Sequence, residues 1–525
     1  MSTHLHATAV SVVLLLTLAV HVLLVPTPAS TDLDVHRNWL AVTWRTPRCH
    51  WYHDDTSRWT LDYPPFFAWF QFALAHVAAW MQGDSSPLLM LVDDAHAPAH
   101  ALVKAWHKGS VLAVDMLLFL AVRRFFRRCL RRDMGGTSFV ALTVLTCANA
   151  ALMMVDHVHF QYNALVLACL VYSVSLLVEG SVTQSESKTY LGAGAFACLL
   201  HMKHLFVACA PAVLVFLLCD FCVDKKSSFH WRRFVTLAGI VLAVSTASLA
   251  PFTVMCGDWQ SELLQLQSRL FPFKRGLTHS LWAPNIWALY NALDLVLRRV
   301  GIHTDNAVAV GTTRGIVGNT TLSVLPEVSP VMALSLSTLA LLPAIVAMLR
   351  MRSSLERRSA LAPCVAACNL AFFLFGWHVH EKAALVSLLP LALVCVQSQS
   401  MARLYYVLFA ASFFGMLPLL HEPSQVMIRL ISYPLGLQVT NYVLDVSLST
   451  LGHPQALKLR LLERLYVNAL VVLQFFCVLT PILLPSLPFL PILLHATAGA
   501  VGVVYAFGRL CAQLLFPRDG AAKHA

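Results

Sequence analysis

The chain has 525 residues, of which 58% are hydrophobic and only 12% are charged. Its mean hydropathy of +0.68 is too high for a water-soluble globular protein, so most of the chain has to lie in lipid. The net charge of +11 does not indicate nucleic-acid binding, because the Lys and Arg residues form short clusters between apolar runs. Composition therefore predicts an all-α polytopic membrane protein.

The first apolar run, residues 7–25, has the length of a membrane span. Residues 1–7 carry no Lys or Arg, which argues against a cleaved signal peptide and favours a retained helix. The later apolar runs bring the prediction to about fourteen spans in total. They lie at 110–127, 137–155, 163–180, 189–203, 204–222, 234–255, 328–349, 359–376, 383–398, 402–420, 424–444, 465–484 and 489–515.

Four clusters of basic residues predict the orientation of these spans. With an even number of spans, all four clusters fall on the side that holds both termini, and the positive-inside rule makes that side cytoplasmic. The loops on the other side, including 26–109 and 256–327, are then luminal. The clusters are Arg123–Arg132, Lys225–Arg233, Arg350–Arg358 and Lys458–Arg464.

This orientation requires that the apolar residues 283–300 do not cross the membrane. We predict that they lie on its luminal surface, with Trp282 and Trp287 as interfacial anchors. Residues 65–82 begin with proline between polar flanks, which predicts a helix in the membrane plane. A glycosylation sequon at Asn319, usable only in a lumen, agrees with this topology.

Most of the 14 cysteines lie inside apolar runs, where they are typical of small buried hydrophobic residues. Cys219 and Cys222 have the spacing of half a zinc site, but no second pair of ligands completes it. Only Cys49 and Cys256 lie in polar luminal loops, and the sequence leaves their pairing open.

Two segments place ionisable side chains at the luminal ends of spans. One holds Asp156, His157 and His159, and the other holds His380 and Lys382. An ionisable group at membrane depth costs about 2.5 to 3.5 kcal/mol, so such groups usually line a cavity, although lipid headgroups could also solvate them. The His-x-His pair lacks a carboxylate or a third histidine at a defined spacing, so we predict no metal site there.

A further luminal segment, Arg269-Leu-Phe-Pro-Phe-Lys-Arg-Gly276, contains two adjacent cations. Lys274 and Arg275 could clamp a lipid phosphate, with the guanidinium as a bidentate donor. They could equally extend toward headgroups without binding a particular ligand. Spacing alone leaves both interpretations open.

Six luminal motifs together carry a resemblance to a known family. They are His36-Arg-Asn-Trp39, Trp59-Thr-Leu-Asp-Tyr-Pro-Pro-Phe-Phe-Ala68, Asp156-His-x-His-Phe-Gln-Tyr-Asn163, Arg269-Leu-Phe-Pro-Phe-Lys-Arg-Gly276, Trp282-Ala-Pro-Asn-Ile-Trp287 and Gly376-Trp-His-Val-His-Glu-Lys382. In this order they resemble the dolichyl-phosphate-glucose-dependent glucosyltransferases of asparagine-linked glycosylation. The resemblance implies a GT-C fold, with a catalytic membrane core in residues 1–400 and C-terminal transmembrane helices in the more generic 401–525.

The resemblance also implies a reaction. Glucose would pass with inversion, in alpha-1,3 linkage, from dolichyl-phosphate-glucose to the monoglucosylated oligomannose on dolichyl pyrophosphate, at the luminal face of the endoplasmic reticulum membrane and without a metal or other cofactor. The alternative within the family is transfer to the unglucosylated oligomannose. A secondary transporter, an alternative of another class, should carry mid-span ionisable groups in repeated halves, and the sequence has no repeated half.

The family's general base corresponds to Asp32. Turning a beta-linked phosphosugar into an alpha-glucoside inverts the anomeric carbon, so one carboxylate has to remove the acceptor proton, and the leaving phosphate needs cations. Asp62 and Asp34 are rival bases, and Asp34 stands where the family more often has Glu. We expect donor-phosphate binding by Lys274, Arg275, His380 and Lys382, and acceptor binding or positioning by Asp34, His36, Arg37, Asp62 and Tyr63.

Overall fold

The computed structural model describes residues 2–91, 101–130, 134–224, 227–271, 276–302, 322–451 and 457–517. These residues are mostly helical, and the extended pairings among them are isolated bridges. The predicted all-α polytopic fold class is confirmed. Asn319, Lys274 and Arg275 lie outside the described residues.

Nineteen α-helices are formed by the described residues, joined in places by short 3₁₀ or π turns. They are α1 Ser2–Leu24, α2 Thr31–Arg45, α3 Pro65–Gln82, α4 Ala101–Cys129, α5 Gly136–Thr146, α6 Ala150–Met153, α7 Asn163–Thr183, α8 Glu186–Leu200, α9 Ala210–Phe216, α10 Trp231–Leu249, α11 Trp259–Leu270, α12 Ile286–Arg299, α13 Pro330–Arg350, α14 Ser354–Phe375, α15 Leu385–Cys395, α16 Gln399–Met416, α17 Val426–Thr450, α18 Leu461–Leu483 and α19 Leu490–Leu515.

Each predicted span coincides with one or more of these helices. By length and hydropathy, 10 segments of the described residues could cross a membrane. The predicted spans on α4, α8, α15 and α17 are not among them, so the count of about fourteen is not confirmed. The division of the chain at residue 400 also stays a prediction.

The helices pack around one main hydrophobic core. The central helix α7 lies between α4 and α8 and is buried around most of its circumference, as expected of a helix that is apolar on all sides. In the second half, α14 packs on α13 and α15, and α16 packs on α19. By contrast, α1 exposes large apolar side chains such as Leu15, Leu16 and Leu23, which suits a helix that faces lipid.

The first predicted luminal loop is tied to the segment that follows α10. Cys49 and Cys256, whose pairing the sequence left open, form a disulfide. Arg269 in α11 donates from Nε to the Tyr52 carbonyl at 2.9 Å and pairs with Asp55 at 2.6 Å. The guanidinium of Arg269 therefore holds two loops together.

The prediction for Trp282 and Trp287 is wrong, because both side chains are only 4% exposed inside the protein. Trp282 packs against Phe489, with ring centroids 5.1 Å apart, and Trp287 Nε1 donates to the Gly376 carbonyl at 2.9 Å. Asn285 caps α12 by accepting from the Trp287 and Ala288 amides. These contacts dock α12 against later helices, which an amphipathic pattern cannot distinguish from docking on lipid.

Pro284, between Trp282 and Trp287, packs so closely against Gly415 on α16 that this position requires a glycine. A Cβ atom at Gly415 would lie 2.4 Å from Pro284 Cγ, and the proline ring cannot move away as a flexible side chain would. We expect Gly415→Ala to cost about 1 to 3 kcal/mol through overpacking and so to lower Tm. Gly508→Ala is the control, since its Cβ would have no neighbour within 4 Å. Equal Tm values for the two variants, measured by thermal unfolding in detergent, would contradict this packing.

Candidate active site

Asp32 lies in the first turn of α2, two residues after the capping residue Ser30. The Ser30 hydroxyl accepts from the Asp32 amide at 3.1 Å. The Ser30 amide and hydroxyl donate to the carbonyl of His159, at 2.9 Å and 2.7 Å. The start of α2 is therefore fixed to the segment that carries Asp156, His157 and His159.

Three side-chain nitrogen atoms lie close to Oδ2 of the Asp32 carboxylate. Lys382 Nζ lies 2.5 Å away, Gln161 Nε2 donates at 2.7 Å, and His159 Nε2 lies 3.4 Å away. Among the described residues, no other hydrogen bond or ion pair reaches this carboxylate. The other oxygen, Oδ1, makes none of these contacts, and 23% of the side chain is exposed.

The pKa of Asp32 lies well below its usual range. Burial by itself raises this pKa, but the positive charge of Lys382 and the contact with His159 outweigh burial. The carboxylate is consequently ionised throughout the neutral range. An ionised carboxylate with an accessible oxygen can accept a proton.

The segment before Gln161 has an unusual backbone. Residues Met154–Phe160 form a π-helical turn, and Phe160 has φ of +85°, which is a strained value for a bulky side chain. Asp156 inside this turn accepts from Asn163 Nδ2 and from the Ala164 amide, both at 2.8 Å. Asp156 therefore caps α7, and the turn directs His159 and Gln161 at Asp32.

His36 lies inside an aromatic cluster. Its side chain is 3% exposed, its Nδ1 is 3.1 Å from Gln71 Nε2, and its ring meets Trp39, Tyr63 and Phe67. Burial lowers the pKa of His36 to about 3, so its ring is neutral. The placement favours positioning of the loop over direct binding of an anion.

Tyr63 belongs to the same cluster, and its carbonyl accepts from the Tyr52 hydroxyl at 2.8 Å. Burial and the nearby Asp62 carboxylate raise the pKa of Tyr63 well above its usual value. Burial also raises the pKa of Asp34, despite Arg37 nearby. Arg37 Nε is buried and has no hydrogen-bond partner among the described residues. Acceptor binding by Asp34, Arg37, Asp62 and Tyr63 stays a prediction.

The segment 378–382 brings two more groups to the site. Burial, and after it His279, hold the pKa of His380 well below its usual range, so His380 can contact a phosphate only as a neutral ring. Burial raises the pKa of the adjacent Glu381 to about 7, and this side chain is only 1% exposed. Lys382 is the member of this segment that forms an ion pair with Asp32.

Lys203 is a cation that the sequence analysis did not assign to the site. Its Nζ donates to Asn163 Oδ1 at 3.1 Å and lies 5.3 Å from the centroid of the Tyr63 ring. Burial, and after it Lys382, lower the pKa of Lys203 to about 8, although three carboxylates including Asp32 oppose the shift. The signal in the sequence was the cluster of polar residues His201, Lys203 and His204 where two apolar runs meet.

Comparisons with known proteins identify the family. Residues 17–510 match the family model described as the ALG6, ALG8 glycosyltransferase family. The chain belongs to this family. The predicted resemblance is therefore confirmed, and the chain is a multi-pass membrane glycosyltransferase. Membership in the ALG6, ALG8 family also decides against a secondary transporter.

Relatives in this family span nearly the whole chain. A probable dolichyl pyrophosphate Glc1Man9GlcNAc2 alpha-1,3-glucosyltransferase of Drosophila melanogaster is 38% identical, over 93% of this chain and 91% of the relative. Dolichyl pyrophosphate Glc1Man9GlcNAc2 alpha-1,3-glucosyltransferases of Mus musculus and Arabidopsis thaliana are 36% and 34% identical, over 94% and 93% of this chain and 93% and 94% of each relative.

One similar solved structure is ArnT from Cupriavidus metallidurans bound to undecaprenyl phosphate. It is 12% identical and covers 97% of this chain and 78% of its own, with a TM-score of 0.39.

The pairing of Asp32 with Lys382 predicts an unequal response to single and double substitution. Lys382→Met leaves a largely buried carboxylate without its cation, so we expect Tm to fall about 5 °C below that of Asp32→Asn/Lys382→Met. Lys188→Met is the control, because its partner Glu179 keeps its pairing with Arg124. Purely additive Tm changes in detergent would show that the pair does not exist.

Proposed function

We propose that this chain transfers glucose in alpha-1,3 linkage, with inversion, from dolichyl-phosphate-glucose to the monoglucosylated oligomannose of a dolichyl pyrophosphate lipid. Support for the acceptor and the linkage comes from the names shared by the insect, mouse and plant relatives. Asp32, ionised and joined at Oδ2 to Lys382, is the observation that carries the proposed chemistry.

In the proposed reaction, the free oxygen of Asp32 accepts the proton of the acceptor hydroxyl. The hydroxyl oxygen forms a bond to the anomeric carbon of glucose as the bond from that carbon to the phosphate oxygen breaks. The configuration inverts from beta to alpha, and the electron pair leaves with the lipid phosphate. No step is assigned to a metal or other cofactor.

The leaving phosphate gathers negative charge, which cations stabilise better than neutral donors. Lys382 and Lys203 are the described cations near Asp32, and we propose that both turn to the donor phosphate when it binds. Lys274 and Arg275 remain predicted phosphate ligands. His380, being neutral, would donate a hydrogen bond.

We further propose that the site faces the lumen of the endoplasmic reticulum and that both termini are cytoplasmic. The four basic clusters support this orientation. The disulfide between Cys49 and Cys256 supports it independently, because disulfides persist in oxidising compartments and both cysteines lie in loops predicted to be luminal.

The decisive assay supplies dolichyl-phosphate-glucose and two acceptors, with and without the first glucose, to the purified chain. We expect transfer to the monoglucosylated acceptor only, and a loss of about 10²- to 10⁴-fold in Asp32→Asn because its amide cannot accept the proton. Asp62→Asn is the matched comparison and should lose less.

Transfer to the unglucosylated acceptor alone would replace this proposal with the first glucosyltransferase. Full activity of Asp32→Asn, together with a loss confined to Asp62→Asn, would move the base to Asp62. A beta linkage in the product, read from the anomeric proton coupling by NMR, would exclude inversion.

Lys203 should set the alkaline limb of the pH profile. If its protonated form binds the donor phosphate, kcat/KM for the donor falls as pH rises through about 8, the pKa of this lysine. Lys203→Arg keeps the charge at higher pH, so its alkaline limb should move upward, whereas Lys203→Met should lose at least about tenfold in kcat/KM at pH 7. An alkaline limb that is identical in wild type and Lys203→Arg would remove Lys203 from phosphate binding.

A further inference from the structure

Helix α11 has one side that binds the first predicted luminal loop. Glu262 Oε2 lies 2.9 Å from His53 Nε2 of that loop. Gln265 Nε2 donates to the Tyr52 carbonyl at 2.8 Å, and Arg269 Nε donates to the same carbonyl at 2.9 Å. Because the three helix residues recur at spacings of three and four, they form one face of α11.

The rest of the α11 surface is exposed and largely apolar. Trp259 is 53% exposed, Leu263 39% and Leu264 65%, and the uncharged Gln260 and Gln267 lie exposed among them. Both charged residues of the helix lie on the side that binds the loop. An exposed apolar surface without charge marks a contact with a partner or with lipid.

The position of α11 in the chain indicates which contact this is. It follows α10, a candidate membrane span in which only Leu237 and Ser248 are buried, so most of the α10 surface faces lipid. In the turn between the two helices, Val254 is 68% exposed and Met255 is 63% exposed. The exposed apolar surface therefore continues from the lipid-facing side of α10, over this turn, onto α11.

We propose that α11 lies in the surface of the luminal leaflet, with Trp259, Leu263 and Leu264 among the lipids. Tryptophan is enriched at membrane interfaces, and an interfacial helix buries its apolar face about 5 to 10 Å deep. The side of α11 that binds the loop then points away from the lipid. Trp282 and Trp287 are buried in the protein, whereas the Trp259 ring is free to make this contact.

The contact with lipid would fix the height of the first luminal loop above the membrane. The disulfide between Cys49 and Cys256 joins this loop to the chain just before α11, and the pairing of Arg269 with Asp55 joins it to the end of α11. On the proposed function, the donor phosphate lies at headgroup height, so the contact would also set the level at which the site meets the donor. That consequence rests on the proposed function, whereas the contact itself does not.

The first test is photo-crosslinking to lipid. The full chain, with p-benzoylphenylalanine in place of Leu264, is reconstituted in phosphatidylcholine nanodiscs and irradiated, and lipid adducts are quantified by mass spectrometry. The control carries the same group in place of Thr56, which is exposed on the loop at the other side of α11. We expect on the order of tenfold more lipid adduct at position 264 than at position 56.

A second measurement covers the case in which the crosslinking variant folds poorly. Tryptophan emission is compared between nanodiscs of ordinary and brominated phosphatidylcholine, for the wild type and for Trp259→Phe. The emission that Trp259 contributes should fall by about half or more in brominated lipid. Trp282→Phe is the matched control, because the emission of a ring that is 4% exposed inside the protein should change little.

Two results would overturn the proposal. Lipid adducts at position 264 that do not exceed those at position 56, together with Trp259 emission that brominated lipid does not quench, would place this face in water. Crosslinks from position 264 to a second copy of the chain would make the face an interface between copies. Neither measurement involves glucosyl transfer, so a failure of the proposed function would leave both unchanged.

Discussion

The charge pair between Asp32 and Lys382 is the contact on which the site depends. A carboxylate largely removed from water is costly unless a cation and hydrogen bonds compensate it, and here Lys382 and Gln161 provide both. Asp32 Oδ2 can pair with Lys382 and Gln161 only if three pieces of the chain meet at one point. They are the start of α2, the strained turn around Phe160 and the segment before α15. Much of the helical packing can be understood as the frame that holds these three pieces together.

The same burial determines the protonation states around Asp32. It lowers the pKa of His36 to about 3 and that of Lys203 to about 8, whereas it raises that of Glu381 to about 7. Histidine at this site is consequently a neutral hydrogen-bonding group, and lysine is the source of positive charge. A phosphate arriving at the site would strengthen that charge, because an anion raises the pKa of a nearby ammonium group.

Much of the fold could be predicted from the sequence, because apolar runs of about 20 residues have few alternatives to a helix. Asp32 came from the sequence only through the resemblance to the family, and the structure adds its contacts with Lys382, Gln161 and His159. The buried positions of Trp282 and Trp287 could not be predicted, because the same amphipathic pattern suits a helix docked on protein or on lipid. The place of Lys203 in the site depends on contacts between distant segments, which periodicity and motif spacing do not encode.

The most direct measurement is a structure of the full chain with an unreactive dolichyl phosphonate analogue of the donor and the monoglucosylated acceptor. The proposed chemistry predicts that Lys382 leaves Asp32 for the phosphonate and that an Asp32 oxygen lies within about 3.2 Å of the acceptor hydroxyl that faces the anomeric carbon. A complex in which Lys382 stays on Asp32 while another carboxylate, such as Asp62, contacts that hydroxyl would contradict it.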